Sequence, residues 1–436
     1  MSCSRTPTRA STSVRSMGHQ EGMILRGSRA GGMASSMGRR TKLTIMYAAV
    51  QGLYWMCYCP IVGYVAPYLL GLGYESTHIG AVLAVGNIIS LIVQPVLSER
   101  ADADARFSPL RVVAGLMAAI LLSSLVQAAF MPQGAALLAL CTFSAVCVIS
   151  SCAFVTSIKF QLAPDEEIDF GVCRAIGSLS WALVSIPLGF AVERLGPCVV
   201  PLFASAAAAI LLVLLSLCGK HAEREGSAAL APSPGACGDA RTWGAFARDN
   251  GWLMALLIGI SLVYLHHTLA NNFSILLVEH VGGDSSDMGI LIALAALCEL
   301  PAMMLFSRIS KRFRIQALVM ISIAMFAVKA LAIWMASSVG MLMGAFSLQL
   351  VSFAVFTPAT VAYAPLVTEE CDLVKAQTAF TLVTTLSAVF SSFVGGALFQ
   401  GLGTAATLGV AAAAAVAGLA VSLVAIARIG MHRPLP

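Results

Sequence analysis

Apolar stretches long enough to cross a bilayer as helices, about eighteen residues or more, follow one another along almost the whole chain after residue 43. Lipid offers no partner for an unpaired backbone amide, so such stretches must fold as helices that satisfy their own hydrogen bonds. The spans read as 44–70, 78–97, 110–131, 134–158, 171–192, 198–218, 251–278, 288–307, 315–336, 339–363, 374–399 and 403–427. Composition agrees. The chain is 58% hydrophobic and 11% charged, against about 25% charged residues in soluble domains. The expectation is an all-α membrane protein with twelve transmembrane helices in two six-helix bundles.

The polar, Pro/Gly/Ala-rich stretch 219–250 divides the spans six and six. The chain therefore reads as a basic tail (1–42), a bundle (43–218), a linker loop (219–250), a second bundle (251–430) and a short tail (431–436). Lys and Arg are enriched on the cytoplasmic flanks of membrane helices. With the N-terminus placed in the cytoplasm of an inner-membrane protein, the even-numbered connections also face inward. They then collect Arg100, Arg106, Arg111, Lys159, Lys220, Arg224, Arg241, Arg248, Arg308, Lys311, Arg312, Arg314 and Lys375, while Arg428 and Arg433 mark an inward C-terminus. Arg194 alone falls outside, and Arg174 and Lys329 lie within spans. The formal charge of +5 thus reports topology and gives no sign of nucleic acid. The first forty residues are rich in Arg, Ser, Gly and Met. They read as a disordered tail or an upstream extension, with Met23, Met33 and Met37 as candidate starts, or as a transit-like segment.

Several chemistries find no support. There is no Walker A stretch, no HExxH and no GxSxG, which argues against an enzyme and against ATP-driven transport by this chain. The 12 cysteines form no CxxC or Cys/His ligand spacing, so no metal and no cofactor is expected. The expected partners are a small-molecule substrate, protons and the lipid bilayer, with the chain acting as a monomer.

A weak internal repeat appears at an offset of 209. It lays Ile79–Arg100 over Met288–Ile309 and superposes Gly80 on Gly289, Ala84 on Ala293 and Ser98 on Ser307. Parallel repeats of this kind occur in transporters whose two bundles rock about a central site.

Three segments carry a resemblance. "QPVLSERAD" (Gln94–Asp102) resembles the loop after the second helix of the major facilitator superfamily. "DFGVCRAIGSLSWAL" (Asp169–Leu183) is similar to the start of the fifth helix in its lactose permease-like and phenylpropionate permease-like branches, and "CELP" (Cys298–Pro301) to their Glu-containing eighth helix. The resemblance covers roughly residues 44 to 430 and implies the major facilitator fold. It places Arg174 and Trp181 where the lactose permease binds and stacks its sugar, Glu299 on the eighth-helix glutamate, and Lys329 near the ninth-helix arginine. The chain departs from that pattern at Thr156, where the relatives carry the acid that pairs with the arginine. It departs also at Gln349 and Ser352, where they carry His and other ionisable groups, and at Ser98, where the motif has Gly.

Each polar residue in a span has competing uses. A guanidinium in hydrocarbon costs from roughly 2.5 to more than 10 kcal/mol, so Arg174 must snorkel to the interface, join an ion pair, or face a cavity and bind substrate through its fork of donors. Glu299 sits near the middle of its span, with Lys329 as candidate partner. The two form either a structural pair or a proton-coupling unit. His266 and His267 lie about 100° apart on their helix, so at most one faces a cavity; His267 is the proton-coupling candidate. Gln51, Tyr54, Trp55 and Tyr58 form an i, i+3, i+4, i+7 stripe suited to cavity-lining rings or to helix packing. Gln349 is a buried amide that needs partners and a further candidate for the substrate. Asp102 with Arg106 reads as part of a conformational gate on the inward face. Together these predict secondary active transport of a small organic solute (sugar, nucleoside or aromatic acid) by proton symport. Export of amphipathic compounds and a non-transporting sensor stand as alternatives.

Overall fold

A computed structural model describes residues 41–103, 107–162, 170–224, 243–369 and 372–432. Among the described residues, eleven helices are long and apolar enough to cross a membrane. These are α1 (Thr41–Gly71), α2 (Ser76–Ala103), α3 (Pro109–Phe130), α4 (Ala135–Leu162), α5 (Phe170–Leu195), α6 (Val199–Arg224), α7 (Gly251–Asn272), α8 (Ser285–Arg312), α9 (Ile315–Trp334), α10 (Val339–Val367) and a final stretch Leu373–His432. The last is folded at Gly403, whose φ of 76° and ψ of 174° are non-helical. It therefore supplies two legs, α11 (373–402) and α12 (404–432). The hydroxyls of Ser261 on α7 and Ser387 on α11 bond at 2.9 Å, while Gly259 of α7 packs on Gly418 and Ser422 of α12. The eleven apolar stretches thus give twelve crossings among the described residues, because glycine alone tolerates that backbone at little cost. A seven-residue helix, Trp243–Asp249, precedes α7.

The internal repeat is realised residue by residue. Each half opens with a helix that is interrupted at the same place, at Tyr64 (φ −110°, ψ 9°) and at Phe273 (φ −114°, ψ 27°). A seven-residue helix follows in both, Val65–Gly71 and Ser274–His280. Then come left-handed glycines, Gly73 (φ 85°) and Gly282 (φ 83°), and 28-residue helices, Ser76–Ala103 and Ser285–Arg312. All these pairs differ by 209 positions, the offset found in the sequence.

Packing differs between the two ends of the molecule. Toward the end that carries residues 41 and 432, each half has its own apolar core. One is built on Tyr47, Tyr54, Met117 and Leu211, the other on Phe246, Leu256, Phe326 and Tyr363. Toward the opposite, distal end a single core joins the halves, with Tyr64, Leu69 and Ile79 packed together with Phe273, Leu291 and Phe346. The halves are thus fused distally and separate at the terminal end.

Four segments of one pattern make the distal seam. Ser76-x-x-x-Gly80 on α2 crosses Ser392-x-x-x-Gly396 on α11, and Ser185-x-x-x-Gly189 on α5 crosses Ser285-x-x-x-Gly289 on α8. A β-carbon on Gly80 would lie 2.2 Å from the Ser392 carbonyl oxygen, and one on Gly396 would lie 2.5 Å from that of Ser76. On Gly189 it would meet the Ser285 carbonyl at 2.6 Å, and on Gly289 the Ser185 carbonyl at 2.6 Å. Small residues let antiparallel backbones touch, as in other membrane helix pairs. Two hydrogen bonds cross the same seam, from the Ser76 hydroxyl to the Gly396 carbonyl (2.9 Å) and from the Ser185 hydroxyl to the Gly289 carbonyl (3.2 Å), and within the first half the Tyr64 hydroxyl donates to the Ser185 carbonyl (2.5 Å).

Candidate functional site

A cavity of about 250 Å³ lies between the halves where the seam ends. From the first half it is lined by Trp55, Tyr58, Val62, Gly63, Arg174, Ser178 and Trp181. From the second it is lined by His267, Asn271, Asn272, Glu299, Gln349 and Phe353, with Ile292, Ala295 and Ala296 at the seam. Three of the lining helices are irregular beside it. In α1 a π-helical turn at Cys59–Gly63, containing Pro60, precedes the interruption at Tyr64. The interruption of α7 at Phe273 follows Asn271 and Asn272. In α10, the α-helix stops at Ser347, a 3₁₀ turn spans Leu348–Leu350, and helix resumes at Phe353. Mid-helix 3₁₀ and π turns commonly mark functional positions, since they redirect side chains and loosen the backbone ladder.

The first-half wall is aromatic. Trp55, Tyr58 and Trp181 form a triangle with ring centroids 5.1, 5.9 and 6.1 Å apart. Arg174 lies against it, its guanidinium 4.3 Å from the Trp55 ring centre and Nη1 donating to the Ser178 hydroxyl at 2.9 Å. No described carboxylate pairs with it, and Thr156, at the position of the relatives' acid, instead donates to the Cys152 carbonyl. Of Arg174's three candidate places, the structure shows the cavity wall.

The second-half wall is polar. Glu299 is buried, and its Oε1 accepts from Gln349 Nε2 at 2.7 Å. Gln349 Oε1 in turn accepts from Lys329 Nζ at 2.5 Å. Lys329 is fully buried behind this wall, its ammonium 4.5 Å from the Phe346 ring centre. The expected direct pairing of Glu299 with Lys329 is therefore corrected to a three-residue chain, with the amide between the ions. Gln349 reaches both because the break in α10 turns it inward. His267 faces the cavity, stacked on Phe353 (5.0 Å, 18°) and bonded to Asn271, whereas His266 is buried away from it with Nε2 unpartnered.

Two expected lining residues belong elsewhere. Gln51 is 2% exposed and donates to the Tyr47 hydroxyl at 2.8 Å; Tyr54 is 1% exposed and donates to the Val148 carbonyl at 2.8 Å. Tyr54 is offset on the helix from the face that carries Tyr58 and Trp55, and so meets α4. Gln51 lies two turns before Tyr58 and is covered by the first-half core. Trp55, passed over as a binding residue, is the ring that holds Arg174. The gate residues Asp102 and Arg106 have side chains outside the described residues.

The sequence of residues 45–409 matches the MFS_1 like family. The chain belongs to that family. No curated protein matches it. Solved structures of major facilitator type share its fold at low sequence identity. The nucleoside transporter NupG superposes with a TM-score of 0.71 at 14% identity, covering 88% of this chain and 98% of that one. An auto-inhibited POT family peptide transporter gives 0.68 at 11%, covering 89% and 97%. A bacterial homolog of the human lysosomal transporter Spinster, in an inward-facing and unoccupied conformation, gives 0.61 at 12%, covering 90% and 96%. As an MFS_1 like protein the chain is an integral membrane transporter.

Proposed function

We propose that the protein is a secondary active transporter that moves a small ring-bearing organic solute with protons across the inner membrane by alternating access. One observation carries this reading: a cavity sealed distally by the Ser/Gly seam presents an unpaired guanidinium from one half and a buried carboxylate from the other. Binding groups divided between two rigid halves couple occupancy to the rocking of those halves. In this reading the basic connections face the cytoplasm, and the end of the molecule that carries residues 41 and 432, where the halves have separate cores, is the inward one.

Arg174, Trp181 and Tyr58 hold the solute in this reading, with Trp55 supporting Arg174. Glu299, Lys329 and His267 respond to protons, and Asp102 with Arg106 gates the inward face. Among sugars, nucleosides and aromatic acids, charge favours an acid. In their ordinary ionisation states Arg174, Lys329 and Glu299 sum to +1, since the lysine and glutamate balance through Gln349 and the arginine does not. A carboxylate supplies the missing charge through charge-assisted hydrogen bonds. A nucleoside is the second reading, supported by the aromatic triangle facing the amides of Asn271 and Asn272. The cavity's about 250 Å³ falls below the roughly 300–1,000 Å³ of drug-sized sites, which argues against export of large amphipaths.

Uptake into proteoliposomes tests the proposal. Solute accumulation driven by an inward proton gradient is expected, with loss on adding a protonophore and uncoupling in Glu299→Gln. Accumulation indifferent to both sinks proton symport, and absence of counterflow with every solute class leaves the sensor alternative.

A further inference from the structure

We propose that Gln349 is the residue that couples the protonation of Glu299 to the break in α10, by a side-chain amide held tightly only while the carboxylate is ionised. The inference rests on the proton-symport reading above and adds a residue to it.

The geometry is directional. Lysine has donors only, so it can engage Gln349 solely through the amide oxygen. The amide nitrogen is then committed to the other side, where it donates to Glu299 Oε1. An ionised carboxylate accepts that bond. A protonated one can still accept it at the carbonyl oxygen, but as a neutral group it gives a bond roughly half as strong and no longer balances the buried Lys329 ammonium. Turning the amide over would aim its NH₂ at an ammonium, donor against donor. Proton binding at Glu299 therefore loosens the chain, and departure of the proton tightens it again.

Three side chains of α10 read the state of these ions. Phe346 lies under the Lys329 ammonium, Gln349 joins both ions, and Phe353 stacks on His267. Phe346 precedes the 3₁₀ turn at Leu348–Leu350 and Phe353 begins the helix after it. At the turn, the amides of Val351 and Ser352 both use the Leu348 carbonyl, at 3.1 and 3.0 Å, in place of a regular ladder. A backbone so arranged bends at small cost, and half-helices of this kind bear the ion sites of other transporters. Release of the amide frees the break in α10 from α8 and α9. Proton binding thereby becomes movement of one cavity wall.

The test separates exchange from coupling. In wild-type proteoliposomes a one-unit pH gradient coupled one to one sustains about ten-fold accumulation. Wild type that exchanges solute but does not accumulate it with the gradient overturns proton symport itself, and the inference with it. If wild type accumulates, Gln349→Met, of matching length and without the amide, is expected to bring accumulation down to about one-fold, the value set by equal concentrations, while counterflow falls by a much smaller factor. Equal accumulation in wild type and Gln349→Met overturns the role of Gln349 and leaves symport standing. A parallel loss of counterflow and accumulation also overturns it, since that marks a merely structural residue. Gln349→Asn, which keeps the amide but is one carbon too short to span both ions, gives the same readouts if the Met variant does not reach the membrane. Adding Gln349→Met to Glu299→Gln should change nothing further, because the amide acts through the carboxylate; an additive loss counts against the proposal.

Discussion

The Gln349 side-chain amide stands between Lys329 and Glu299, accepting from one at 2.5 Å and donating to the other at 2.7 Å, all three on different helices of the second half. An ammonium with no exposed surface is held in place by a carboxylate it does not touch.

That arrangement makes each ion depend on the other. Lys329→Met should destabilise the protein by about 3–5 kcal/mol, the usual cost of leaving a buried partner charge uncompensated. The pair of changes Lys329→Met with Glu299→Gln should recover most of that loss. Thermal unfolding in detergent measures both. A single variant as stable as wild type shows that the two ions do not balance through the amide.

Arg174 makes a sharper distinction among solutes. A small ring carboxylate should bind about ten- to a hundred-fold more tightly than its primary amide, the range expected for a hydrogen bond to a charged group of about 1.5–3 kcal/mol. Arg174→Gln should erase the preference while leaving the amide's affinity unchanged. Isothermal titration of the purified protein with both compounds gives the ratio. Equal affinities for acid and amide in wild type point to a neutral solute and the nucleoside reading.

What the sequence disclosed follows what is local. Apolar length and turn glycines are properties of short stretches, so the twelve crossings, the division into halves and the 209-residue repeat were all legible, with Gly403 in the turn between the last two spans. Arg174, Trp181 and Glu299 were visible as polar or aromatic residues in unlikely surroundings. Which side of the stripe on α1 meets the cavity was not legible. That depends on how α1 rotates against α4 and α5, and it separated Tyr58 from Tyr54 although the two lie only about 40° apart on the helix. The bridge through Gln349 was hidden for a related reason, since it needs a 3₁₀ turn that no apolar period announces. The four Ser-x-x-x-Gly segments could have been found by a search for paired small residues, and Gly80 over Gly289 was half of that pattern.

The seam sets a prediction about conformational balance. Gly80→Ala or Gly289→Ala places a methyl group against a backbone carbonyl that cannot move aside as a side chain would. Overpacking of this kind costs about 1–3 kcal/mol. Applied to the distally closed state, it should shift the population toward distal opening by about 5- to 150-fold. Quenching of Trp55 and Trp181 by an impermeant reagent on the distal side reports the shift, with Trp243, Trp252 and Trp334 replaced by Phe. Gly115→Ala on α3, where an added methyl meets nothing within 4 Å, is the control. Identical quenching in all variants removes the seam as the distal closure.

The distal end also carries a pH dependence with a definite sign. Burial first, and then the neighbouring Glu193, pushes the carboxyl of Glu279 above its ordinary range. Glu193 accepts from the Ser285 amide on the second half, and Asp284, Asp287 and His280 lie nearby in the chain. Glu279 follows α7 and Glu193 ends α5, so two like charges meet where the halves close. A carboxyl whose folded-state pKa is raised binds its proton more tightly in the folded protein. Its destabilising effect is absent below the unfolded value of about 4.5 and grows as pH rises through the folded value. Glu279→Gln should therefore raise the melting temperature at pH 7, with the gain vanishing as the measurement is repeated toward pH 4.5. The same variant should slow distal opening at neutral pH, because the repulsion that favours it is gone. A gain in melting temperature that is the same at both pH values would assign the effect to packing of the amide and remove the charge pair from the account.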